Sequence, residues 1–346
     1  MKTKFCTYIR YGIPGILLIL ILLCRFLPGM AEGYARYVYP YLSAIMSGFS
    51  SLFFLSLEEV LVVAVVLWLI VYPIRAYRKK KSWKRIWLHE TEIVAWVYIW
   101  FYLGWGLNYF RYNIYERAAT PPAEYNEQAF RHFLTAYTDS LNSSYLSDMN
   151  IDQKEIGSQI KEAYRYVPAS YGLAQPKDYQ HPKYLLLNPV YSGVGVLGYM
   201  GPFFSEFQLN NDLLPVQIPF SYAHELSHLL GVSNEAEANY WAYQICTHSA
   251  LPAVRYSGYF GLLPYVLANA SMLLPEAEFQ EWVKTIRPEI VEDYEQRRNY
   301  WSERYNPLIG EIQNQMYNLF LKGNNIPSGR KNYAEVVGII LSLGDY

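Results

Sequence analysis

The apolar residues of this chain are unevenly placed, and that constrains its fold more than any other feature: three long greasy stretches all lie before residue 111. Residues 13–23 are almost continuously apolar and follow Lys2, Lys4 and Arg10. With their flanks, over 8–27, they reach the roughly 20 residues that a membrane-crossing helix needs. Residues 49–72 form a second stretch, interrupted by Glu58 and Glu59, and residues 93–110 a third, rich in Trp, Tyr and Phe. Between the second and third lie Arg75, Arg78, Lys79, Lys80, Lys81, Lys84 and Arg85. The positive-inside rule places that basic loop in the cytoplasm, so the N-terminus is also cytoplasmic and everything after Arg111 is extracytoplasmic. The expectation is a multi-pass protein of the cytoplasmic (inner) membrane, with the lipid bilayer as one partner. Gly29-Met30-Ala31 has the small-x-small character of a signal-peptide cleavage site, and cleavage there would leave this topology unchanged.

Glu58 and Glu59 would be costly in the middle of a span, where carboxylates usually mark function or a partner. If the hydrophobic core of the second span begins at Leu57 they are interfacial, and a structural role bonded to Asn108 or Arg111 is the expectation. Three spans with no broken-helix repeat make a poor transporter. The net charge of −1, with no basic face in the C-terminal two-thirds, excludes a nucleic-acid partner. The 35 tyrosines suit work against a headgroup layer, since the ring is apolar and the hydroxyl wet. Cys6, Cys24 and Cys246 are far apart and imply no disulfide framework or cysteine metal site.

Residues 112–346 read as one extracytoplasmic domain after a transmembrane region of residues 1–111. Helical periodicity appears at Phe130, Phe133, Leu134, Tyr137 and Leu141, and again at Ile156, Ile160, Ala163, Tyr164 and Val167. Residues 184–187 and 204–209 look like short strands, with a glycine-punctuated turn or hairpin over 192–201. Further helical patterns cover 234–247, 256–273, 288–305, 308–321 and 333–343. The fold class expected is α+β: mostly helical, with a small β-sheet.

His224-Glu225-Leu226-Ser227-His228 carries the chemistry. Histidines four apart leave one face of a helix about one turn from each other and can share one Zn2+. Glu225 beside them can take a proton from metal-activated water and pass it to a leaving amine, the His-Glu-x-x-His logic of metallopeptidases. Gly231 is placed to end this helix, and Ser233 or Asn234 to cap a new one beginning at Glu235. That second helix would bring Glu235 or Glu237 to the metal, leaving the fourth position open.

Two peptidase families resemble this arrangement. The metzincin pattern matches at Gly231 but would need His or Asp where Asn234 stands. The gluzincin pattern, a glutamate on a following helix, resembles Glu235-Ala236-Glu237-Ala238-Asn239, with asparagine in place of aspartate. The gluzincin resemblance implies Glu235 as third ligand, with Asn239 and Glu237 supporting it. More widely, residues 106–109 and 198–206, Pro219, residues 224–228, Gly231 and residues 235–239 resemble a bacterial family of membrane proteins of unknown function. That resemblance implies three N-terminal spans and a zincin-like domain.

Residues 204–209 could be the edge strand along which zincins lay an extended substrate, with Glu206 and Asn210 as substrate contacts. Tyr256 is a candidate oxyanion donor. The function expected is a membrane-anchored zinc metallopeptidase acting on periplasmic or cell-envelope proteins or peptides. The alternative is a non-catalytic zinc-stabilised envelope sensor or binding domain. An intramembrane protease is excluded by the polar flanks of the motif, from Asn210 to Ser221 and from Asn234 to Asn239.

Overall fold

The computed structural model describes residues 2–149 and 152–344, with side chains from residue 10 onward except 332–334. The side chains of Lys2, Lys4, Cys6 and Tyr333 lie outside the described residues. The chain begins with α1 (Lys2–Phe26), α2 (Pro28–Tyr37) and α3 (Tyr39–Ser50), continuing with α4 (Leu57–Arg78) and α5 (Trp83–Gly104). Pro28 and Pro40 open α2 and α3, where a missing N–H costs nothing but a continuing helix is barred. At Pro28 the chain turns by 108°.

Among the described residues only α4 is long and apolar enough to cross a membrane, or two elements if the bent pair α1–α2 counts as one span. Of the three spans expected from the sequence, one or two meet this requirement of length and apolarity, and the limits of the helices shift. Residues 49–50 belong to α3, and α4 starts only at Leu57 because Ser56 caps it, its Oγ accepting from Glu59 N at 3.1 Å. The third stretch is helical from Trp83 to Gly104, followed by a 3₁₀ turn over Gly106–Phe110.

Glu58 and Glu59 therefore occupy the first turn of α4 rather than its middle, where a carboxylate suits the helix dipole. Their partners are not Asn108 and Arg111. Glu58 accepts from Phe203 N at 3.1 Å, and Glu59 from Leu186 N and Leu187 N at 2.7 and 3.0 Å. Arg111 instead pairs with Glu32 at 3.0 Å, and the Asn108 amide donates to Trp105 O at 2.8 Å.

The remainder is mostly helical: α6 (Ile114–Ala118), α7 (Glu127–Ser144), α8 (Gln153–Arg165), α9 (Asn188–Gly193), α10 (Ile218–Leu229), α11 (Glu235–Thr247), α12 (Pro252–Leu273), α13 (Glu276–Val283), α14 (Pro288–Arg304), α15 (Pro307–Gly323) and α16 (Val336–Leu343). The periodic residues Phe130, Phe133, Tyr137, Ile156, Ile160 and Tyr164 all face the main core, with α10, α11 and α12 at its centre. Each such phenylalanine contributes about 1.5–3 kcal/mol by burial. A second buried cluster joins Ile21, Tyr39, Ile99 and Leu107 to Leu321 and Ile326, so residues on both sides of position 111 share one interior.

Three short strands, β1 (Lys183–Tyr184), β2 (Gly198–Gly201) and β3 (Glu206–Leu209), form a sheet of order β1-β3-β2. β3 pairs parallel to β1 and antiparallel to β2, so the segment expected to be an edge is the central strand and has no free side for a substrate. Leu55 bridges to Tyr184 on the outer side of β1. The open edge is β2. In its register Tyr199 faces Gln208, Gly201 faces Glu206, and Asn210 N donates to Leu197 O at 2.9 Å. By antiparallel alternation the N–H and C=O groups of Gly198 and Met200 then point away from β3.

Candidate metal centre

The site begins with how α10 ends. Gly231, at φ 101°, sits in a conformation that favours glycine, and a Schellman closure follows, with Val232 N donating to Ser227 O at 3.1 Å and Gly231 N to His228 O at 3.0 Å. The last carbonyls of α10 are satisfied from elsewhere in the chain. Trp105 Nε1 donates to His228 O at 2.8 Å, Tyr39 Oη to Leu229 O at 2.7 Å, and Ala174 N to Leu230 O at 2.9 Å. Asn234 then caps α11, its side chain accepting from Glu237 N at 3.0 Å. A helix begun by that cap starts at Glu235 and turns back along α10.

This turn brings His224, His228 and Glu235 together. Their imidazole Nε2 atoms are 3.1 Å apart, and Glu235 Oε2 lies 3.2 Å from His224 Nε2 and 3.4 Å from His228 Nε2. A tetrahedron centred about 2.05 Å from each corner has edges of about 3.3 Å, so the triangle has the size of three zinc ligands with a fourth position open. His228 Nδ1 is 2.8 Å from Val232 O and is the donor there, since a carbonyl only accepts, which in the neutral imidazole a metal requires leaves Nε2 with its lone pair toward the cluster. Among the described residues, Glu225 Oε2 finds no hydrogen-bond partner, and Glu235 Oε2 has none besides its close approach to the two imidazoles; both are buried. An orphaned carboxylate oxygen facing two imidazoles is the donor set a zinc ion completes.

The electrostatics agree with a place for positive charge. Burial alone would lower the His228 imidazole, but the Glu235 carboxylate outweighs it and raises His228 to about 9. Burial would raise Glu235, yet His228 and His224 hold it well below the ordinary carboxylate range. A field that favours a proton among these groups favours a dication more strongly. Glu225 is raised to about 7, chiefly by burial and against the two imidazoles. That suits a group that must both accept and return a proton near neutral pH.

Glu237 does not reach the cluster. Its carboxylate pairs with Arg117 and accepts from Trp241 Nε1 at 3.1 Å, anchoring α11 to α6. Asn239, one turn beyond Glu235, bonds the Tyr265 hydroxyl on α12, and that hydroxyl also lies in the field of Glu235. Glu206 has a different task from the one expected. Buried on β3, it accepts from Lys183 Nζ at 2.5 Å, Ser56 Oγ at 2.9 Å, Glu58 N at 2.8 Å and Gln208 Nε2 at 3.0 Å, tying the start of α4 to the sheet. Asn210 is likewise committed, to Ser192 Oγ at 3.0 Å, Val196 O at 2.8 Å and Asp212 N at 2.9 Å. Tyr256 lies in the core, its hydroxyl on Asp293 at 3.3 Å and its ring against Tyr145 and Phe260, which leaves no free hydroxyl for an oxyanion.

Three residues near the site carry no local sequence signal. Tyr317 on α15 donates to Glu235 Oε1 at 2.5 Å. Tyr265 reaches Asn239, and Arg297 on α14 lies over the Phe260 ring at 5.6 Å, its guanidinium lowered by burial against the field of Tyr265. Gly198 on β2, which carries part of the family resemblance, has a packing role the sequence does not show: a Cβ there would come within 2.8 Å of Glu225 Cγ and 2.7 Å of Gln208 O, so only glycine lets the strand lie against Glu225.

A family model described as a protein of unknown function (DUF3810) matches residues 34–341. The chain belongs to that family. The match takes in the last four residues of α2, α3 to α15, most of α16, and the whole candidate metal-binding triangle. Among curated proteins and solved structures none matches the chain.

Proposed function

We propose that this chain is a membrane-anchored, zinc-dependent peptidase with His224, His228 and Glu235 as metal ligands and Glu225 as general base and acid. The observation that carries the reading is the triangle of ligand atoms at 3.1, 3.2 and 3.4 Å, with the uncommitted Glu225 carboxylate buried beside it. A bound zinc ion would supply Lewis acidity, polarising a substrate carbonyl and acidifying water at the open position. Glu225, one residue after His224 and held under Gly198, is placed to accept that water's proton and return it to the leaving amine. His228 is fixed in orientation by Val232 O, and Glu235 by Tyr317. The free edge of β2 supplies main-chain donors and acceptors at Gly198 and Met200, beside Glu225, where an extended peptide could add as a further strand.

The zincin-like character and the membrane arrangement belong to the same proposal. α1, α4 and α5 cross the inner membrane, with the basic residues between Arg75 and Arg85 on the cytoplasmic side. The Leu57 end of α4 is bonded to the sheet through Ser56 and Glu58, while its Arg78 end is about 33 Å away by helix rise, which supports an extracytoplasmic metal domain. Substrates are then proteins or peptides of the periplasm or cell envelope. Glu225→Gln tests the reading: an enzyme keeps its zinc and loses hydrolysis of a peptide library, whereas unchanged cleavage would refute Glu225 as the base. A wild-type protein that holds zinc without cleaving any peptide would favour the sensor alternative.

A further inference from the structure

α15 presents three faces. On a helix advancing 100° per residue, Leu308, Ile309, Ile312, Met316, Leu319 and Phe320 fall within one arc of about 120°. All six are exposed, with Leu308, Met316 and Leu319 at 81%, 67% and 70%. Glu311, Gln315 and Lys322 occupy a second, polar and exposed face. Gly310, Tyr317 and Leu321 lie on the third, toward the protein, where Tyr317 reaches the metal ligand Glu235. A water-exposed apolar stripe of this length is costly unless something covers it.

The position of the helix says what covers it. Its C-terminal end is fastened to α1 and α5: Arg25 donates to Gly323 O at 3.2 Å, Tyr102 to Asn324 Oδ1 at 2.6 Å, and Phe320 packs edge-on to Phe101 and Tyr109. In the proposed topology those are the extracytoplasmic ends of α1 and α5, so the stripe continues the apolar surface of the membrane helices. A second apolar ridge stands where α4 enters, with Tyr41, Ile45 and Phe49 exposed along α3 and Leu52 and Phe54 on the loop after it. We propose that α15 is an in-plane amphipathic helix seated in the outer leaflet of the bilayer, and that through Tyr317 this lipid-seated helix positions Glu235. The metal site then works at the membrane surface, on segments of envelope proteins that lie close to the lipid. The inference rests on the proposed membrane arrangement and metal site, and its test separates the three.

The full chain is reconstituted in phosphatidylethanolamine and phosphatidylglycerol vesicles, with p-benzoylphenylalanine placed singly at Ile312, Met316 or Leu319. Leu67 on α4 serves as membrane control and Glu311 as water-facing control. On illumination, lipid adducts are expected at Ile312, Met316, Leu319 and Leu67 and not at Glu311, read by mass spectrometry. Adducts at Leu67 alone, or adducts from the stripe to a second copy of the chain, would overturn the seating of α15. Absence of adducts at Leu67 as well would overturn the membrane reading with it. The second arm is Tyr317→Phe, which removes one donor to Glu235 and should weaken zinc binding by roughly 10–100-fold in a chelator competition, with the Leu319 adduct retained. Unchanged zinc affinity would overturn the positioning role, and a wild type that binds no zinc would overturn the metal reading while leaving the lipid arm legible.

Discussion

Two groups of buried carboxylates sit on either side of the small sheet, and they are satisfied in opposite ways. Glu206 and Glu59 are saturated by donors, and Glu58 holds the Phe203 amide: Glu206 has an ammonium, a hydroxyl, an amide side chain and a backbone N–H, and Glu59 has two backbone N–H groups. Glu225 and Glu235, beside two histidines, each leave one oxygen without a hydrogen bond among the described residues. A buried charge that is fully bonded holds elements in place, here α4 against the sheet. One left under-bonded at that depth is costly unless a cation or a reacting group completes it. The contrast separates scaffold from site more sharply than burial does, since both groups are equally hidden.

The largest effect that would sharpen this contrast comes from Glu225→Gln, which should lower peptide-library hydrolysis by about 10²–10⁴-fold at unchanged zinc stoichiometry. Turnover within a few-fold of wild type would place Glu225 with the scaffold group. On the other side, Glu206→Ala strands the Lys183 ammonium in the interior and should cost about 3–5 kcal/mol, seen as a lower unfolding temperature in detergent. Zinc per folded molecule should stay the same, and selective loss of zinc would break the distinction. Gly198→Ala forces a methyl against Glu225 and Gln208 O and should cost about 1–3 kcal/mol, with turnover reduced and zinc retained. If turnover were unaffected, β2 would not be the strand that lies over the reacting atoms. The smallest effect belongs to the cap: Asn234→Ala should destabilise by about 1 kcal/mol, with Asn234→Asp restoring it, as measured by thermal unfolding.

The parts of the site legible in the sequence are those whose geometry is local. Two histidines one helical turn apart, a glycine that closes the helix and an asparagine that starts the next one are all matters of a few residues, and together they deliver Glu235. Tyr317 reaches the same carboxylate from 82 positions away, and no spacing rule marks it among 35 tyrosines. The edge strand is hidden for a similar reason. Residues 204–209 have a strand's composition, but whether a strand is central or an edge depends on β1, which arrives from before the hairpin and takes the far side of β3. Glu206 and Asn210 are polar residues beside a motif, and only their partners show that they are occupied. The long helices were legible by period, since Phe130 to Leu141 and Ile156 to Tyr164 bury one face each. The start of the long apolar helix α4 was not, because apolar composition continues through α3 and the loop, while the helix itself waits for the Ser56 cap.

Metal content of the purified full-length protein tests the proposal at its root. Close to one zinc ion per wild-type chain is expected, and essentially none in His224→Ala or Glu235→Ala that remain folded by circular dichroism. A folded wild-type protein that carries no zinc and takes up none on dialysis against it would contradict the metal site, and with it the peptidase reading.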